Sequence, residues 1–89
     1  MAKKPDNYEQ VIRRKHKGAF WGLFLRNNTE WVISPDPEEG GEISPDDIKV
    51  LSPRDAWRWA THESQRERAS VAIFSSDLFD RLAREALGH

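Results

Sequence analysis

The chain has 89 residues, no cysteine, and one third of its residues charged, yet its formal net charge is only −1. That length holds one small domain, and the lack of cysteine excludes a disulfide framework and thiol chemistry. No run of about 18 apolar residues is present to form a membrane-spanning helix, and Pro5, Asp6 and Asn7 stand where a signal peptide would be apolar, so the expected setting is cytoplasmic.

The charge is segregated. Residues 1–34 carry seven cations, Lys3, Lys4, Arg13, Arg14, Lys15, Lys17 and Arg26, against Asp6, Glu9 and Glu30, a balance of +4. Residues 35–49 carry six acids against Lys49, a balance of −5, and residues 50–89 balance to zero. A basic front, an acidic middle and a mixed tail result.

In chain order, residues 1–17 read as a basic arm or a short helix over 5–16, with Tyr8, Val11 and Ile12 at i, i+3 and i+4 and Gly18 as its stop. Residues 19–34 read as a hairpin, because aromatic and β-branched runs flank Asn27-Asn28. Asparagine tolerates the positive φ of a two-residue turn. That turn predicts Arg26 opposite Thr29, Phe24 opposite Trp31 and Leu23 opposite Val32. One face would then hold Phe20, Phe24, Trp31 and Ile33, and the other Trp21, Leu23, Leu25 and Val32. A sheet covered on one side should alternate apolar and polar. Two apolar faces therefore require either that the chain covers both or that one meets a partner.

Residues 35–46 form an acidic loop, with three prolines and a Gly pair that exclude regular structure over most of it; its acids do not have the spacing of a calcium-binding loop. Asp47 to Leu51 reads as a third short strand. Ser52 as N-cap and Pro53 at the first helical position start a helix expected to reach at least Arg68. Trp57 and Trp59 lie about 200° apart on it, so one of them belongs at an edge or on the surface. Residues 69–74 fit helix, strand or connection. Ser75-Ser76-Asp77 offers a fresh N-cap, and Leu78, Phe79, Leu82, Ala83, Ala86 and Leu87 form an amphipathic stripe ended by Gly88. The expected fold is thus a single α+β domain over 1–89, an antiparallel hairpin of two strands or three packed on two or three helices.

No catalytic set emerges. Serines stand at caps and loops, His16, His62 and His89 are scattered, and the carboxylates cluster in an irregular loop. His62-Glu63-Ser64-Gln65-Arg66 starts like a zinc-protease motif but has Arg66 in place of the second histidine. The expectation is a protein that is not an enzyme and carries no metal or cofactor. Two functional classes remain. One is a protein-interaction module, a small regulator, adaptor or inhibitor docking on a larger protein or on a second copy of itself, of the kind common in phages and mobile elements. The other is a nucleic-acid-binding protein that uses the basic arm beside aromatic stacking platforms. The partner-binding residues expected on these grounds are Arg13, Arg14, Lys15, Lys17, Trp21, Trp31 and Trp59; no membrane contact is expected.

Overall fold

The computed structural model describes residues 7–16, 18–36, 43–63 and 71–88. They form a five-stranded antiparallel sheet with helices on one side: β1 (Tyr8–His16), β2 (Ala19–Arg26), β3 (Glu30–Pro35), β4 (Lys49–Leu51), α1 (Pro53–Arg58), β5 (Val71–Ile73) and α2 (Ser76–Leu87). The sheet order is β4-β3-β2-β1-β5. The α+β class stands, with more strands than a hairpin plus one.

The largest departure is β1. The spacing of Tyr8, Val11 and Ile12 imitates a helix because a β-bulge interrupts the strand: Gln10 pairs with Phe24 but Ile12 pairs with Leu23, leaving Val11 as the extra residue. The Val11 carbonyl accepts from the N–H groups of both Phe74 (2.9 Å) and Ser75 (3.2 Å), so the bulge is also where the C-terminal part of the chain is fastened. Gly18, expected to stop a helix, has φ 82° in the connection to β2, a backbone conformation that glycine adopts without penalty.

The hairpin exists, but its register differs by one residue. Asn27 and Asn28 do take positive φ, 51° and 61°, and the Thr29 N–H donates to the Arg26 carbonyl. The ladder resumes only at Arg26 opposite Glu30, so Thr29 stays in the loop, Leu25 faces Trp31 and Leu23 faces Ile33. Because side chains alternate, one residue of slip exchanges the faces of the whole third strand. The energetic reason is visible. Trp31 and Ile33 join Leu23 and Leu25 under the helices, with exposures of 2, 6, 0 and 0%, while Arg26 and Glu30 form a cross-strand ion pair at 3.0 Å.

On the helix side, Ile12, Leu23, Leu25, Trp31 and Ile33 of the sheet pack with Ala56, Trp59, Ala60 and Leu82. Ser52 caps α1 by accepting from the Asp55 N–H, and Ser75 caps α2 by accepting from the Leu78 N–H; Gly88 closes α2 in the left-handed conformation. The expected long helix is α-helical only to Arg58 and continues as a π-helical turn over Trp59–Glu63; its continuation toward Arg68 lies outside the described residues. Of the two tryptophans expected on different sides, Trp59 is buried and Trp57 is half-buried, its ring stacked on Phe79 at 5.1 Å. Within 66–76, residues 71–73 are the edge strand β5 and Ser76 begins α2.

Candidate interaction surface

Arg13 and Arg14 stand on opposite faces of β1. Arg14 points to the helix side and is fully buried. Its Nη1 donates to the Trp59 carbonyl at 2.6 Å, its Nε to the Lys15 carbonyl at 3.3 Å, and its guanidinium lies 4.7 Å from the centroid of the Trp59 ring. The Trp59 carbonyl is where α1 passes into the π-helical turn. Nη2 lies 3.3 Å from His16 Nδ1; a guanidinium can only donate, so Nδ1 is the acceptor. The His16 ring meets Trp21 and Trp59 edge-on. Arg14 is therefore a joint between sheet and helix. Trp59 Nε1 is buried beside it with no hydrogen-bond partner among the described residues.

The second face of the sheet is closed in its middle and open at its ends. Phe24 is 4% and Val32 0% exposed, whereas Phe20 is 51% and Val50 54% exposed. Gly22 sets up this arrangement, because a Cβ there would lie 2.6 Å from Phe24 Cε1. With no side chain at 22, the Phe24 ring occupies that space, and Tyr8 meets it edge-on. The two-faced apolar pattern is thus met within the chain over the centre of the face. Of its two open ends, the one at Phe20 also carries charge. There Lys15 is directly opposite Phe20, and the Arg13 guanidinium lies 4.4 Å from the Phe20 centroid. Arg13 Nε is 3.0 Å from Asp36 Oδ2, which also accepts from Gln10 Nε2 at 3.3 Å.

A third cluster is structural. Trp31 Nε1 donates to Glu85 Oε1 at 3.0 Å, and Arg81 Nε donates to Glu85 Oε2 at 2.8 Å. The two terminal nitrogens of Arg81 reach Asn28 Oδ1 and the Asn28 carbonyl, so α2 is tied to the β2–β3 turn. Burial alone would raise the Glu85 pKa, but the hydrogen bonds from Arg81 and Trp31 outweigh it and hold the carboxyl below its ordinary value.

The expected partner-binding residues therefore separate. Arg13 and Lys15 share the open end of the second face; Trp21 is half-buried beside His16 on the helix side. Arg14, Trp31 and Trp59 are buried and offer no surface: a correction that follows from strand alternation for Arg14, from the register for Trp31 and from helix packing for Trp59. Lys17 lies outside the described residues, as do residues 37–42 of the acidic loop. Phe20 and Asp36, which the sequence reading did not single out, complete the cluster; the correct register would have placed Asp36 beside Phe20, whose carbonyl accepts from the Asp36 N–H. Among the described residues no three His, Asp or Glu side chains gather to hold a metal ion, and no helix is long and apolar enough to cross a membrane. Comparison with protein-family models, with characterised proteins and with solved structures gives no match.

Proposed function

We propose that this chain is a non-enzymatic protein-interaction module, a small cytoplasmic regulator or inhibitor, that docks on a larger protein through the open end of its second sheet face. The observation that carries this reading is Phe20, a large apolar side chain left 51% exposed with a guanidinium fixed against its ring and Lys15 alongside. Phenylalanine and arginine are both enriched in protein interfaces, and separated charge steers association.

Nucleic-acid binding is the second reading, since cations beside an aromatic ring also suit a strand of bases. It is weakened by the fate of the basic run, in which Arg14 is buried and reaches no strand of bases. Affinity capture from a native lysate, with the wild-type chain and Phe20→Ser in parallel, separates the readings. A protein retained by the wild type and lost by Phe20→Ser, with unchanged circular dichroism, supports the module. Retention of nucleic acid that falls steeply with salt overturns it.

A further inference from the structure

The geometry around Arg13 specifies what a partner must present; this inference rests on the docking reading above. Asp36 takes Nε of Arg13, and Phe20 supports one face of the guanidinium plane. Two restraints on one guanidinium orient it before any partner arrives, which lowers the ordering cost of binding. Among the described residues no hydrogen bond occupies its terminal edge, Nη1 and Nη2, and the side chain is 43% exposed. Two parallel N–H donors match the two oxygens of a carboxylate.

The local charge favours a carboxylate over a phosphate. Among the described residues of this cluster, Arg13 and Lys15 against Asp36 leave a balance of +1, which one carboxylate neutralises. A phosphate monoester carries about −1.5 to −2 and would be brought against the Asp36 carboxylate. A nucleic-acid backbone needs a track of cations along successive phosphates, and among the described residues this end of the face has two, Arg13 and Lys15. We propose that the Arg13–Lys15–Phe20 surface binds an acidic peptide segment, in which a carboxylate engages the terminal edge of Arg13 with Lys15 adding charge, and an adjacent apolar side chain covers the exposed part of Phe20.

The test is a nitrogen-15 amide NMR titration of the full chain with four probes. They are a capped peptide Gly-Ser-Glu-Phe-Gly-Ser, its Gln-for-Glu and phosphoserine-for-Glu versions, and a short oligothymidine. The expected result is chemical-shift change centred on residues 13–20, with the Glu peptide preferred over the Gln peptide by about tenfold, the equivalent of one charge-assisted hydrogen-bonded pair. Arg13→Gln should erase that preference, whereas Phe20→Ala should weaken both peptides alike. Equal binding of the Glu and Gln peptides, preference for the phosphoserine peptide or the oligothymidine, or no shift with any probe overturns the carboxylate assignment. The docking reading is judged separately by the loss of capture in Phe20→Ser, so failure of the carboxylate assignment and failure of the docking reading are told apart.

Discussion

Removing the Arg14 side chain would take away the donor it supplies to the Trp59 carbonyl and open a void against the Trp59 ring. We expect Arg14→Ala to lower stability by about 2–4 kcal/mol, a large share of the roughly 4–13 kcal/mol available to a chain of this length. Arg13→Ala removes an ion pair whose arginine is 43% exposed and whose Asp36 is 9% exposed; because Gln10 still donates to Asp36, it should lower stability by only about 1 kcal/mol. Urea denaturation of the two variants side by side measures the contrast. Gly22→Ala should lower stability by about 1–3 kcal/mol, because the new methyl group displaces the Phe24 ring, and the same denaturation curves report it. In the sequence Arg13 and Arg14 belong to one basic run. Their separation is legible only once the segment is a strand, since neighbours on a strand alternate faces whereas neighbours on a helix do not. Gly22 carried no sequence signal, because its role depends on a ring two residues away.

The signals that were local survived into the structure: both serine caps, the glycine stop after α2, the amphipathic stripe and the two asparagines in positive φ. What failed depended on distant partners. The bulge at Val11 forms against β2 and is fastened by Phe74 and Ser75, and the extra loop residue Thr29 puts Trp31 where Glu85 can accept from it. Neither partner is near in sequence, so no window of residues contained the decision. The Trp31–Glu85–Arg81 cluster also yields a pH dependence. A carboxyl held below its ordinary value stabilises the fold above its unfolded pKa, near 4.5, and that contribution disappears as pH falls through the lower folded value. Glu85→Gln should therefore be less stable than the wild type at neutral pH, with the gap closing below about pH 4. The gap should be no more than about 1 kcal/mol, because Arg81 and Glu85 are each about one third exposed. Thermal melts from pH 3 to pH 7 show whether it closes.

The whole sheet ends on two unlike edges. β4 carries Lys49 and is flanked by Asp46, Asp47 and Pro53, residues that discourage a further strand from pairing. β5 has Val71, Ala72 and Ile73, followed by Phe74, with Ile73 and Phe74 each more than half exposed. Shortness is the protection that β5 does have. Ile73→Lys should suppress concentration-dependent association in light scattering while leaving the melting temperature nearly unchanged, since the side chain is already mostly in water. If the wild type shows no such association at any accessible concentration, three residues of strand suffice to keep the edge closed to neighbours.

The strand order also sets a timetable. β1 to β4 pair with their neighbours in sequence, β1 with β2, β2 with β3 and β3 with β4, whereas β5 reaches its place by bringing Val71 back to Arg14. Closing so long a loop is slow and its entropy is recovered only when the contacts form, so the four-strand meander should assemble first and β5 with α2 should dock last. The same order should govern opening. In native-state hydrogen exchange the amides of β2 and β3 should be the slowest, while those of β5 and α2 exchange together at a lower free energy. The strand most hospitable to a foreign chain is then also the one least firmly held, and each brief release of it uncovers Ile12 and the far side of β1.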